Sequence, residues 1–224
     1  MPLASWVERP LAVASALNRG ECGGTYLEAS LIISGALSAI ASFAWPGKGK
    51  DRRRIVEAWV NYSGRADAKR ISVPLLRVYL LTNNRQAEAE ALARARPDAF
   101  GPGQGCRVLT GDDVDLVEDE VAGLCPLLER KKIREHAYAT LFYEHVRCGL
   151  VQEGELGESA TTFPMTTRDS GVSYGNWIDR PRTIHFAVPW LIDLSRDVAA
   201  GVDAAIAGAA PDPIAQPPLW WTSG

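Results

Sequence analysis

The chain has 224 residues, 46% of them hydrophobic and 23% charged, and a formal net charge of −3 at pH 7. These values exclude a wholly disordered, collagenous or coiled-coil chain, and a protein broadly coated in basic charge; a local basic groove stays compatible with them. The length suits one domain, expected over residues 1–210, with a Pro-rich tail over 211–224, and folding would bury roughly 70% of the unfolded chain's surface. The expected class is mainly α, a helical bundle with one small β-hairpin near residues 172–186.

The N-terminal stretch MPLASWVERP has no basic region followed by an apolar run, so no signal peptide is read there. Cys22, Cys106, Cys125 and Cys148 form no C-x-x-C pair and suit neither a zinc site nor a disulfide scaffold. They read as reduced thiols in a cytoplasmic protein.

Pro10 to Asn18 is expected to form a short first helix, stopped by Gly20. Thr25 and Glu28 have the spacing of a capping box. The long helix they open runs to about Trp45, where Pro46-Gly47 stops it. Ala29 to Gly47 carries no charge, reaches the minimum length of a membrane span, and is followed by Lys48, Lys50 and Arg52 to Arg54. Ser30, Ser34, Ser38 and Ser42 recur every four residues, with Leu31, Ile32, Leu37, Ile40 and Phe43 elsewhere around the helix. Small residues on one side and bulky ones on the other favour a buried core helix over a span, and no membrane partner is expected.

Asp51 can cap the next helix, which gathers Ile55, Val56, Trp59 and Val60 on one face. Ser72 and Pro74 open another. Arg85 to Arg96 reads as a solvated helix ending at Pro97, and Pro97 to Cys106 as a Gly/Pro loop. The acids between Gly111 and Glu120 suit a first helical turn, and without the ordered spacing of a calcium loop no metal site is expected. Ile133 to about Val151 reads as the strongest helix of the second half, with Tyr138, Leu141, Phe142, His145, Val146 and Gly149 on one stripe. Gly154 to Ser170 is polar and loop-like. Val172 to Trp177 and Thr183 to Phe186 flank Asp179-Arg-Pro-Arg182 as a hairpin. A last helix starts at about Pro189.

The histidines are His136, His145 and His185, and no G-x-S-x-G elbow surrounds a serine. His136 is expected near a helix start in solvent. His185 lies in the hairpin, where it could face a groove. Gly47-Lys-Gly-Lys50 lacks the spacing of a phosphate-binding P-loop. Gly101-Pro-Gly-Gln-Gly105 lacks the apolar helix of a dinucleotide fingerprint. No cofactor is expected.

The run Tyr143-Glu-His-Val-Arg147-Cys-Gly-Leu-Val-Gln152-Glu-Gly154 carries more information. It resembles the signature of the higher eukaryotes and prokaryotes nucleotide-binding (HEPN) superfamily: an arginine, four intervening residues, then a histidine near the end of a core helix. The looser resemblance extends to the early long helix, its Trp-Pro-Gly ending and the Tyr-x-x-Trp hairpin. It implies a HEPN-like helical bundle, a metal-independent endoribonuclease site, RNA or nucleotide as partner, and a setting such as phage defence or a toxin–antitoxin system. It also implies a homodimer in which two motifs meet across a two-fold axis. Arg147 matches the arginine, which would hold phosphate and stabilise charge on its oxygens. Gln152 stands at the histidine position, and a glutamine cannot exchange a proton near pH 7. The expectation is therefore a weak or inactive nuclease, with a non-enzymatic helical nucleotide-, RNA- or protein-binding module as the alternative. Cys148 departs from the polar residue common after the arginine.

Spacing adds a constraint. Five residues turn by about 140° on a regular α-helix, so Arg147 and Gln152 would not share a face unless the helix loosens near Gly149 or a second surface completes the site. Arg147 can equally be read as a cation at a helix C-terminus. Arg52, Arg53 and Arg54 sit at the wrong end of a helix dipole unless an anion lies there, although solvated arginines offset by Asp51 and Glu57 read just as simply. His145, on the apolar stripe, is either a packed histidine or a proton-transfer group beside the substrate.

Overall fold

The computed structural model describes residues 1–45, 51–100, 109–162, 171–177, 180–208 and 220. Pro46 to Lys50, the glycine-rich run at 101–105 with Cys106, the hairpin tip at 178–179 and most of the Pro-rich tail lie outside them. Among the described residues the architecture is mainly helical, with two small antiparallel sheets.

Helix α1 (Leu3–Asn18) is longer than its sequence suggests and runs through Pro10. A proline inside a helix removes one backbone hydrogen bond and crowds the preceding turn. Burial of Leu3, Val7, Leu11 and Ala14 offsets that cost. So does a cap from far along the chain: the amides of Leu3 and Ala4 donate to the Asp203 carboxylate at 2.9 and 2.8 Å.

Helix α2 (Tyr26–Ala44) starts at the expected box. The Leu27 amide donates to Thr25 Oγ1 at 3.2 Å, and the Thr25 amide donates to Glu28 at 2.9 Å. Its small residues Ala29, Ser30, Ser34, Ala36, Ala41 and Ala44 are buried with Ile33, Leu37 and Ile40, while Leu31 and Phe43 face outward. It is the one described helix long and apolar enough to cross a membrane, and half of its apolar window is buried inside the protein.

Helix α3 (Asp51–Tyr62) packs on α2, and α11 (Val188–Gly208) packs on α1, α2 and α3. Trp59 of α3 is fully buried at their centre, with ring centroids 5.3 Å from Phe142, 5.6 Å from Trp190 and 6.5 Å from Phe186. A second apolar cluster lies among α4 (Val73–Thr82), α5 (Gln86–Ala95), α8 (Glu118–Leu124) and α9 (Arg130–Arg134). The segment expected as a loop from Pro97 begins with a single helical turn, α6 (Pro97–Phe100).

The hairpin forms from β4 (Val172–Trp177) and β5 (Arg180–Phe186), in register Tyr174↔Ile184, with an irregularity between Gly175 and Trp177. A further short strand, β2 (Leu109–Thr110), extends it as a third strand through Leu109↔Tyr174. The acidic run after it makes two first turns rather than one, at α7 (Gly111–Val114) and α8, separated by β3 (Leu116–Val117). Strand β3 pairs with β1 (Arg70–Ile71).

Ile133 to Val151 is not one helix. After α9 the chain leaves helical geometry at His136–Ala137, because β1 captures it: Ile71 bridges Ala137, and the Ser72 amide donates to the His136 carbonyl at 2.8 Å. The helix restarts as α10 (Tyr138–Leu141) and continues as a π-helix over Phe142–Glu153, ended by Gly154 at φ 73°. The conformation at Gly154 is one that glycine adopts without steric cost.

Candidate nucleic-acid interface

A π-helix bonds each amide five residues back, so residues five apart stack one turn apart. Arg147 and Gln152 therefore lie on one side of their helix, which the α-helical geometry assumed from sequence forbids. Their surroundings differ. Arg147 has its side chain largely covered, lies with its guanidinium 5.1 Å from the Tyr143 ring centroid, and pairs with Asp51 at 3.3 Å. Gln152 is exposed, and no hydrogen bond joins it to Arg147 among the described residues. The pair shares a side but does not form one closed site within a single chain.

Helix α3 meets Arg147 at its first turn. The Asp51 carboxylate lies between Arg147 and Arg54, at 3.3 and 3.8 Å. Arg54 is 8% exposed, and its Nε and Nη2 have no hydrogen-bond partner among the described residues. The Nε of Arg147 is likewise buried without one. Buried guanidinium nitrogens without acceptors cost free energy that an anion's oxygens can recover. Arg52 turns to the other side and pairs with Glu144 at 2.6 Å. Arg53 is half-buried, with no ion pair among the described residues.

Beyond Arg52 opens a cleft of about 960 Å³, lined by Tyr79, His136, Glu144, His145, Arg182 and Thr183 among others. Sequence reasoning found Arg52 and His145 but not the cleft, whose walls come from α4, the turn after α9, the π-helix, the Glu158–Thr161 loop and β5. His136 is not in open solvent: its ring packs against Tyr79 at a tilt of 54°, with centroids 5.1 Å apart, and Nδ1 contacts the Lys132 carbonyl at 2.9 Å. Burial pushes the His136 pKa down, against that hydrogen bond. Burial also lowers His145, although the Glu158 charge opposes it. Burial thus favours the neutral form of both rings. Burial raises the Glu144 carboxyl, against the pull of Arg52. Burial lowers the Arg182 pKa, and the neighbouring Arg77 charge lowers it further; the two guanidinium groups lie 5.1 and 5.0 Å from the Phe100 ring centroid.

His145 is fixed by backbone as well as by its stripe. The Gly157 amide donates to its carbonyl at 2.7 Å, and a side chain at Gly157 would meet the imidazole at 2.8 Å. His185 does not face a groove; it is 7% exposed and packs on Tyr26 with centroids 5.0 Å apart. Cys22 and Cys148 are exposed and half-buried, Cys125 is buried, and all three are unpaired. Among the described residues no three His, Cys, Asp or Glu side chains are placed to hold a metal ion.

No protein-family model, curated protein or solved structure matches the chain.

Proposed function

We propose that this chain is a HEPN-like, RNA-binding protein of the endoribonuclease type whose cleavage is weak or absent because Gln152 occupies the histidine position of its motif. The observation that carries the reading is the meeting of Arg147 with Arg54 around Asp51, at 3.3 and 3.8 Å, with guanidinium nitrogens that find no acceptor among the described residues. Two arginine groups singled out separately in the sequence thus converge where a phosphate would fit. Arg147 and Arg54 hold the phosphate, and Arg52 and His145 line the adjoining cleft along which the strand continues. The protein works as a cytoplasmic homodimer, whose two-fold axis brings a second Gln152-bearing helix end to the groove.

The exposure of Gln152, apart from Arg147, favours a second reading: a helical module that binds RNA or nucleotide without cleaving it. Single-stranded RNA binding and cleavage by the parent, Gln152→His and Arg147→Ala chains separate the two. Cleavage gained by Gln152→His supports the first reading. Binding without cleavage in every form supports the second, and no RNA binding at all removes the first and leaves the second with nucleotide alone.

A further inference from the structure

We propose that Glu57, Glu118 and Arg134 form a recognition site for a tryptophan-bearing peptide, and that its resident ligand is the chain's own Trp220. All three hydrogen-bonding groups of this residue are read. Its amide donates to Glu57 Oε2 at 3.1 Å, its indole Nε1–H donates to Glu118 Oε2 at 3.0 Å, and its carbonyl accepts from Arg134 Nη1. The Arg134 guanidinium also lies over the indole, 5.1 Å from the ring centroid. A cation on the face of an indole is the strongest of the aromatic cation pairs.

The receptor side is built into the fold. Glu57 is 1% exposed, Arg134 6% and Glu118 9%. Arg134 Nε lies 3.0 Å from both Glu118 oxygens, and Arg130 Nη1 lies 2.9 Å from one of them, so the carboxylate that takes the indole is already oriented. Asn61 donates to the same Glu57 oxygen that receives the Trp220 amide, at 2.9 Å. The three residues come from α3, α8 and α9, and Trp220 packs against both apolar clusters. One side chain from the end of the chain thus joins the two halves of the core. Residues 209–219 link it to α11, so it binds as a tethered ligand. Since the amide and carbonyl are both read, the ligand class is a peptide with an internal tryptophan. The inference stands apart from the RNA-binding reading.

The test uses the full chain carrying Trp220→Ala, which empties the site, and a fluorescent peptide of residues 217–224 (PPLWWTSG) followed by polarisation. The variant is expected to bind the peptide. The parent should bind it roughly a hundredfold more weakly, because the tethered tail competes at an effective millimolar concentration. A peptide with alanine in place of Trp220 should not bind the variant. Adding Arg134→Lys, which removes the planar fork, should weaken binding at least about tenfold. Equal binding to parent and variant, or no binding to a folded variant, overturns the proposal. So does free L-tryptophan binding as tightly as the peptide, which would make this an amino-acid site. If Trp220→Ala does not fold, Trp220→Phe, which keeps a ring and loses the indole donor, takes its place with the same expected order of affinities.

Discussion

The Asp51 carboxylate lies 3.3 Å from Arg147 Nη2, joining the first turn of α3 to the π-helix across 96 positions of sequence. In the RNA-binding reading this acid is a placeholder for phosphate. Asp51→Asn removes the competing charge and keeps the shape. Because Asp51 is largely exposed, the pair itself is weak, and RNA affinity should rise only about twofold to fivefold. Filter binding at low salt measures it. A loss of affinity would show instead that Asp51 is needed to orient the arginines.

Gln152→His should raise RNA cleavage by on the order of a hundred- to ten-thousandfold, the usual contribution of general acid–base help. The gain should persist in the presence of a chelator and vanish when Arg147→Ala is added. Arg147→Ala alone should weaken RNA binding and flatten its salt dependence by about one unit of slope. A Gln152→His chain that binds RNA and stays inert sinks the nuclease half of the reading.

Gly149 lets the loop after the π-helix pack directly on it. A Cβ there would sit 2.4 Å from the Glu155 carbonyl oxygen and 2.8 Å from the Gly157 amide nitrogen, both backbone atoms with little room to move. Gly149→Ala should therefore cost about 1–3 kcal/mol of stability by overpacking. It should also shift Gly157 away from His145. Urea unfolding reads the first effect, and the imidazole resonances of His145 read the second; unchanged values of both would refute the close approach.

Asp115 and His185 should pull stability in opposite directions with pH. Burial pushes Asp115 up to about 7, although Tyr138, Tyr174 and the Val73 amide donate to it. The native chain then holds a proton that the unfolded chain has released, so this contribution is present below the unfolded value near 3.8 and is lost as pH rises through about 7. Burial holds His185 down at about 4. Its contribution is present above the unfolded value near 6.5 and is lost as pH falls toward about 4. Asp115→Asn leaves the histidine slope alone. Relative to the parent, the variant should gain on the order of 2 kcal/mol between about pH 5 and about pH 8. Parallel urea midpoints at the two pH values would contradict this.

What the sequence disclosed was local. Thr25 and Glu28 are three residues apart, and the cap they form depends on nothing else. The stripe through Tyr138, Phe142 and Val146 marks a buried face whichever helical winding is adopted. The hairpin follows from two alternating runs about a turn. The break at His136–Ala137 was not readable, because its cause is a bridge to Ile71, far back in the chain. The continuation of α1 through Pro10 is not legible for a similar reason, since Asp203 supplies its cap. For the candidate site, Arg52, Arg54, Arg147 and His145 could each be named from sequence. That Arg54 and Arg147 share one acid, and that Arg52 and His145 line a cleft with His136 and Arg182, depends on packing between five segments. Only the five-residue spacing hinted that the helix bearing the motif departs from regular winding.

The capping of α1 by Asp203 also orders events during synthesis. The first helix leaves the ribosome long before the acid that closes its first turn exists, and contacts of such sequence separation form late. Until α11 is made, Leu3, Val7 and Leu11 have no lasting cover from it, and the Leu3 and Ala4 amides must be satisfied by water. A segment translated well before residue 203 is thus secured only after it, and a chain released before that point lacks the cover that α11 gives the apolar face of α1.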